Sequence, residues 1–101
     1  MISIRLSRRA SDYMRRESAY LLGRHPSAAR TFVQSMNRAR ALLREFPDIG
    51  NQTHGLQIAG FRTLVVGDYL IDYRRLGDLI EIANIRHGRM HIPVPDADDD
   101  P

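Results

Sequence analysis

The segment from residue 61 to residue 92 restricts the fold more than any other part of the chain. It contains three short runs rich in aliphatic, β-branched and aromatic residues, at about 61–66, 69–76 and 79–87. Two tight turns separate these runs, Gly67-Asp68 and Gly77-Asp78, and a two-residue loop containing glycine is typical of a β-hairpin. The sequence therefore predicts a meander of three antiparallel strands.

The residues before this meander carry the pattern of two amphipathic helices, which we expect at about 8–24 and 27–46. Ser7 and Ser27 are suitable N-terminal caps. Pro26 separates the helices, because the residue before a proline is disfavoured in the helical conformation. Such a short connection between two long helices requires that they pack side by side as an antiparallel hairpin.

Residues 2–6 alternate between apolar and polar, which predicts a further short strand. The hairpin must bury its apolar stripe against the sheet, so we predict a two-layer α/β (α+β) sandwich in the order β-α-α-β-β-β. The helical hairpin then packs on one face of a small antiparallel sheet. The expected core residues are Phe32, Met36, Leu43, Phe46, Leu64, Val66, Ile71, Ile80, Ile82 and Ile85.

Two segments lack either pattern. Residues 48–60 contain three glycines, and we expect a loop there with a short extended piece at 56–58. We assign residues 1–92 to one domain. Residues 93–101 are rich in aspartate and proline and have little to bury, so we expect an acidic, disordered tail.

All of the basic residues of the chain are arginines, and the chain has no lysine. The arginines number 15, and the formal net charge is +3. Residues 1–95 hold these 15 arginines but only 8 of the 12 carboxylates, which is +7. A basic body of this kind suits an anionic partner, either nucleic acid or an acidic polypeptide.

The remaining composition excludes several classes of protein. The chain has no cysteine, so we expect neither a disulfide scaffold nor a zinc–thiolate site, and no motif points to a metal or another cofactor. No apolar run is long enough for a membrane span, and the first residues lack a signal-peptide pattern. We expect a cytoplasmic protein with no membrane partner.

Four motifs together resemble one protein family. They are Pro-Ser-Ala-Ala-Arg-x-Phe-Val at 26–33, Phe-Pro-Asp-Ile-Gly at 46–50, Phe-Arg-x-Leu-Val-Val-Gly-x-Tyr-x-Ile-x-Tyr-Arg at 61–74 and His-Gly-Arg-Met at 87–90. In this order and spacing, over about residues 2–92, they resemble the ParE branch of the ParE/RelE toxin superfamily. The resemblance implies the toxin of a type II toxin–antitoxin system. It also implies neutralisation by a cognate antitoxin, whose C-terminal segment binds along the helical hairpin and the sheet.

The superfamily offers two activities. RelE-like members are ribosome-dependent mRNA endoribonucleases, whereas ParE-like members poison DNA gyrase by protein contact. Cleaving RNA through its 2′-hydroxyl requires a base, an acid and cations around the phosphate. For such chemistry this chain offers Arg62, Arg89, His87 and His91. It has no lysine and no tyrosine after Tyr73, so the usual base and acid of the RelE-like pattern are missing.

The candidate residues also have structural interpretations. His87 precedes a glycine at a strand end, where a hydrogen bond that fixes the turn is the commoner role. Alternation places Arg62 on the same strand face as Leu64 and Val66, so either a side chain reorients or the strand is buried on both sides. Two residues depart from the family pattern. Asp72 interrupts an apolar strand, and Arg86 stands where an apolar residue usually precedes His-Gly.

We therefore expect a binding protein rather than an enzyme, with no catalytic residue. Gyrase would be contacted by Arg62, Arg86, His87 and Arg89, and the antitoxin by Tyr13, Tyr20, Arg30 and Arg38. The resemblance implies direct DNA contact only through the antitoxin. One alternative is a RelE-like nuclease. A third is a small arginine-rich nucleic-acid-binding module, weakened because aromatic stacking platforms and a recognition-helix signature are absent.

Overall fold

The computed structural model describes residues 1–52 and 59–88. The elements, in chain order, are β1 (Ser3–Leu6), α1 (Arg8–Arg24), α2 (Pro26–Glu45), β2 (Phe61–Val66), β3 (Tyr69–Leu76) and β4 (Leu79–His87). This is the predicted order, with strand bounds close to those expected. The extended piece expected at 56–58 and the tail from residue 93 lie outside the described residues.

The meander is formed by β2, β3 and β4, which pair antiparallel as predicted. Both connecting turns place their glycine in the left-handed region, with φ of 57° at Gly67 and 62° at Gly77. Residues with a Cβ atom are strained in this conformation, so glycine is required at these two turns. The two Gly-Asp pairs therefore determine where each strand of the meander ends.

The strand β1 joins the sheet beside β4 and parallel to it, so the strand order is β1-β4-β3-β2. The sheet is consequently mixed, and the expectation of an entirely antiparallel sheet holds only for the meander. Alternation of apolar and polar residues indicates which face of a strand is buried, but it does not encode the direction of the neighbouring strand. The direction of β1 could therefore not be read from residues 2–6.

The two helices start differently. The hydroxyl of Ser7 accepts a hydrogen bond from the backbone N–H of Ala10 (3.1 Å) and donates to the carbonyl of Ala83 (2.7 Å), so the predicted cap of α1 is confirmed. The predicted cap of α2 by Ser27 is wrong, because α2 begins at Pro26 and His25 occupies the cap position without a side-chain hydrogen bond. Proline suits the first helical position, where its fixed φ is favourable and a missing N–H is harmless.

The core lies between the helical hairpin and one face of the sheet. Nine of the ten expected core residues are buried, with Phe32, Leu43, Ile71 and Ile80 at most 1% exposed. The exception is Phe46, which is 51% exposed. Its φ of −131° has already left the helical region at the end of α2, so its side chain no longer follows the buried stripe.

A β-bulge allows β4 to contribute fully to this core. The pairing with β3 shifts between Asp72 and Tyr73, which leaves one extra residue on β4. As a result Ile82 and Ile85, which are three residues apart, are both buried in the core cluster. A regular strand would have turned one of them to the opposite face.

Candidate functional site

Two arginines of the sheet are held by a single carboxylate on the face opposite the helices. Glu81 accepts a hydrogen bond from Arg74 (Nε to Oε1, 3.0 Å) and one from Arg5 (Nη2 to Oε2, 3.2 Å). The hydrogen bond from Arg74, with a contribution from Arg5, lowers the pKa of Glu81 below its ordinary value. Arg5 and Arg74 are therefore both paired with the same carboxylate, that of Glu81.

Arg62 lies on the helix side of the sheet and contacts the loop that follows α2. Its Nη1 donates to the carbonyl of Gly50 (3.0 Å), while Asp48 lies 3.9 Å from Arg62 Nε and 3.3 Å from Arg75 Nη1. The N–H of Gly50 donates to the hydroxyl of Tyr73 (2.8 Å). A Cβ atom on Gly50 would lie only 2.7 Å from the Tyr73 ring, so glycine permits this close approach. Arg62 thus fastens the loop to the sheet.

Arg86 is engaged in a bidentate ion pair with Asp72. Nε and Nη2 of Arg86 each lie 3.1 Å from a different carboxylate oxygen of Asp72. The same carboxylate accepts hydrogen bonds from the hydroxyl of Thr63 (2.6 Å) and the amide of Asn84 (3.2 Å). Asp72 is completely buried, and the Arg86 side chain is only 16% exposed. The two departures from the family pattern therefore compensate each other.

His87 ends β4 with its ring edge-on to the ring of Tyr69, at a centroid distance of 5.2 Å. The backbone N–H of the next residue, Gly88, donates to the carbonyl of Asp68 in the turn between β2 and β3 (2.7 Å). The hydroxyl of Tyr69 donates to Glu17 on α1 (2.6 Å). His87 thus lies where the end of the meander meets the helical hairpin.

The structure does not bring the described candidate catalytic residues together. Arg62 belongs to the cross-strand row that includes Tyr73, whereas His87 belongs to the row of Val66 and Tyr69. These rows are four residues apart, which at the rise of a β-strand is about 13 Å along the sheet. The other two members of the predicted set, Arg89 and His91, lie outside the described residues.

Three tyrosines near these residues are held in their neutral form. Burial raises the pKa of Tyr69 and of Tyr73 above the ordinary value. Burial also raises the pKa of Tyr13 to about 12. Because a general base must be able to lose its proton near the working pH, these three phenols are poorly suited to that role at neutral pH.

The helical hairpin carries the excess positive charge of the folded part. Residues 8–45 contain nine arginines and three carboxylates, whereas the rest of residues 1–88 contains five of each. Arg15 is paired with Asp12. Within the described part of the chain, eight hairpin arginines have no carboxylate at ion-pair distance, namely Arg8, Arg9, Arg16, Arg24, Arg30, Arg38, Arg40 and Arg44. The sequence predicts the excess of positive charge, whereas the division of that charge between hairpin and sheet follows from the ion pairs of the structure.

An apolar groove of about 330 Å³ runs between the two helices on their exposed side, and we call it the hairpin groove. Its most exposed apolar members are Leu22 (62%) and Val33 (47%). Its lining residues are Ser18, Leu22, Pro26, Ala29, Arg30, Val33 and Gln34. The groove is thus a small exposed apolar surface with one basic side chain, Arg30, in its lining.

The four residues predicted to bind the antitoxin occupy different positions on the hairpin. Arg30 lines the hairpin groove, and Arg38 is exposed further along α2. Tyr20 is 56% exposed, with the guanidinium of Arg24 over its ring at 4.5 Å. Tyr13 is only partly accessible, because its ring packs edge-on against the core rings of Phe32 and Tyr69.

Two further findings concern the described residues alone. They contain no group of three or more histidine, cysteine or acidic side chains placed to hold a metal ion. They also contain no helix with the length and apolar character needed to cross a membrane.

A helical hairpin on one face of a small mixed sheet, with unpaired arginines and exposed apolar side chains among its described residues, defines a small two-layer α+β domain. The family model described as "ParE toxin of type II toxin-antitoxin system, parDE" matches residues 4–92. The chain therefore belongs to the ParE toxin family of type II toxin–antitoxin systems, as the sequence motifs predict.

Comparison with solved structures supports the fold. A chain from the structure titled "Chromosomal ParDE TA system from P. aeruginosa" superposes with a TM-score of 0.71 at 21% sequence identity. The match covers 86% of this chain and 96% of that chain, and it confirms the two-layer α+β architecture. No curated protein sequence matches the chain.

Proposed function

We propose that this ParE toxin acts by binding DNA gyrase, and that a cognate antitoxin neutralises it by binding the helical hairpin. The observation that carries the choice of binding over catalysis is the pairing of the sheet arginines. Each arginine of the four described strands lies within ion-pair distance of a carboxylate. A cation that stabilises a pentavalent phosphate must instead direct its N–H groups at the substrate.

The positions of the individual candidates support the same choice. Arg62 donates a hydrogen bond to the carbonyl of Gly50, and Arg86 donates to the carboxylate of Asp72. His87 lies about 13 Å from Arg62 along the sheet. General acid–base catalysis requires the acid, the base and the cations within hydrogen-bond reach of one substrate. The separation of Arg62 from His87 in the described arrangement supports contact with a protein over cleavage of an RNA phosphate.

The ion pairs of the sheet arginines also separate the four predicted gyrase-binding residues into two that are paired within the fold and two on the C-terminal side of the meander. Arg62 and Arg86 fulfil roles inside the fold, so their contribution to a partner surface is indirect. We assign the charged contact with gyrase to Arg89, and to His87, at the end of β4, a hydrogen-bonding contact that glutamine can replace.

The hairpin surface has the properties of a site for an acidic amphipathic segment. Leu22 and Val33 offer an apolar strip, while Arg30 contributes a cation to the lining of the hairpin groove. A segment that folds on binding would insert its apolar side chains between the helices and place its carboxylates against the arginines. We therefore place the antitoxin in the hairpin groove, with Tyr20 and Arg38 extending its footprint.

A gyrase poison and a nuclease predict different results in cells and with purified components. We expect expression of the chain to block DNA replication and to induce a DNA-damage response while cellular mRNA stays intact. The substitution His87→Gln keeps hydrogen-bonding capacity and should leave gyrase inhibition largely unchanged. Arg89→Glu should weaken inhibition in a supercoiling assay, and the exposed Arg44→Glu on α2 is the charge-matched control.

The nuclease alternative makes the opposite prediction. A positioned catalytic group typically contributes ~10²–10⁴ in rate, so loss of a catalytic histidine would abolish cleavage. In-frame mRNA cleavage on ribosomes that is removed by His87→Gln or His91→Gln would overturn the proposal. Equal inhibition of gyrase by the Arg89→Glu and Arg44→Glu variants would remove only the proposed contact at Arg89.

Electrostatic steering of the antitoxin can be measured separately. We expect the double substitution Arg30→Glu/Arg38→Glu to slow association with the cognate antitoxin by about tenfold at low salt, since charge complementarity raises association rates by roughly 10–10³. The dependence of the rate on ionic strength should also flatten. Stopped-flow measurements between about 20 and 500 mM salt, over which the Debye length falls from roughly 20 Å to roughly 4 Å, test this.

The control for that experiment is Arg8→Glu/Arg9→Glu, which removes the same charge at a surface away from the hairpin groove. It should slow association less than the substitutions at Arg30 and Arg38. An association rate that responds neither to salt nor to Arg30→Glu/Arg38→Glu would rule out an electrostatic role for the groove.

A further inference from the structure

The unpaired arginines of the hairpin form a second surface whose chemistry differs from that of the hairpin groove. Arg8, Arg9 and Arg16 on α1, which we call the α1 arginine cluster, line a cleft of about 440 Å³ together with Asp12. All three arginines are exposed. The one carboxylate in the lining, Asp12, is already paired with Arg15. The cleft therefore presents cations without a neutralising partner among the described residues.

The lining of this cleft distinguishes between possible anionic partners. It consists of charged side chains alone, whereas the hairpin groove contains Leu22, Val33 and Pro26. An acidic amphipathic peptide gains much of its affinity by burying apolar side chains, and no apolar side chain lines the cleft of the α1 arginine cluster. A phosphodiester backbone requires only cations, and the forked N–H groups of arginine match phosphate geometry. The chemistry of the cleft thus favours a nucleic-acid backbone over a peptide.

The spacing of the cluster fits the charge density of a duplex. The cluster extends from Arg8 to Arg16, which are eight residues apart on α1 and therefore about 12 Å apart along the helix axis. Duplex DNA carries one negative charge per about 1.7 Å of its own axis. Three guanidinium groups spread over this length can therefore reach different phosphates rather than compete for one.

We propose that the α1 arginine cluster binds the phosphate backbone of duplex DNA directly and without reading base sequence. Direct contact of this kind departs from the expectation that only the antitoxin contacts DNA. It does not depend on the proposed action on gyrase or on the proposed antitoxin site. The contact is made to phosphates, because all three cluster side chains are cations and none is an amide or apolar group of the kind that reads base edges.

The test uses the full chain and a fluorescein-labelled 20-base-pair duplex in an anisotropy titration. Three phosphate contacts predict a slope of about −2.7 in log affinity against log salt, which is an affinity loss of about 40-fold between 50 and 200 mM salt. The triple substitution Arg8→Gln/Arg9→Gln/Arg16→Gln should remove most of this salt dependence and weaken binding at 50 mM salt at least tenfold. A second duplex of unrelated sequence should bind within about twofold of the first, since backbone contacts carry no base information.

The matched control is Arg38→Gln/Arg40→Gln/Arg44→Gln, which removes the same charge from α2. It should retain most of the binding, and circular dichroism melting should show that both variants remain folded. Equal loss in the two triple variants would overturn the proposal by showing that only net charge matters, and so would absence of binding by the unsubstituted chain. Tighter binding of a poly-glutamate peptide than of DNA to the cluster would overturn it as well. None of these outcomes affects the gyrase or antitoxin assays.

Discussion

Replacing Asp72 by alanine is expected to lower the free energy of unfolding by about 3–5 kcal/mol, because Arg86 would keep a largely buried charge without its partner. The substitution also leaves the hydroxyl of Thr63 and the amide of Asn84 without the acceptor that they now share. Each lost hydrogen bond adds to the destabilisation when the donor stays buried. Urea denaturation followed by circular dichroism measures the change.

Two variants control this experiment. Asp78→Ala removes an exposed carboxylate from a turn and should change the stability by no more than about 0.5 kcal/mol. The double substitution Asp72→Leu/Arg86→Leu replaces the pair by apolar side chains and should recover much of the loss, since such replacements of buried pairs are often neutral or stabilising. If Asp72→Ala is as stable as the unsubstituted chain, the ion pair is not a structural element of the sheet.

The second large effect is expected for Phe32→Ala, which should destabilise the domain by about 3–5 kcal/mol. Phe32 is 1% exposed and its ring packs against that of Tyr69 at a centroid distance of 4.8 Å. The substitution leaves a cavity at the contact between α2 and the sheet. Because small domains have only about 5–15 kcal/mol of stability in total, the isolated chain should be close to unfolding.

The neighbouring residue provides the control for this second prediction. Val33 follows Phe32 on α2 but lines the hairpin groove and is 47% exposed. Val33→Ala should change the stability by less than about 1 kcal/mol, while weakening the proposed binding of the antitoxin. Similar thermal denaturation of the two variants would show that the buried face of α2 has been assigned incorrectly.

The distribution of charge separates the two layers of the molecule. The carboxylates of the sheet and its loops neutralise the arginines of the strands, whereas most hairpin arginines are left without such partners among the described residues. This separation is a physical reason for expecting anionic partners at the helices. It also explains why the net charge alone, which is +3 for the whole chain, understates the attraction that a partner would experience at the hairpin.

Local rules in the sequence account for the elements and for most of their bounds. Gly67 and Gly77 lie at turns that require positive φ, and Ser7 caps α1 through its own hydroxyl. The buried stripe of α2 follows from its helical period, and the strands of the meander from the turns between them. Each of these features depends on residues within one or two turns of chain, so a sequence pattern records them directly.

The three-dimensional arrangement determines which arginines are paired with a carboxylate. Asp72 and Arg86 are 14 residues apart and meet only because the register of β3 and β4, with its bulge, places them side by side. Asp48 reaches Arg62 and Arg75 only because the loop after α2 lies against the sheet. Ion pairs form within about 4 Å, so they depend on three-dimensional placement that no local pattern encodes. Sequence patterns therefore predict the toxin family and the order of helices and strands. The parallel direction of β1 and the ion pairs that leave the unpaired arginines of the described residues on the helices depend on the three-dimensional arrangement.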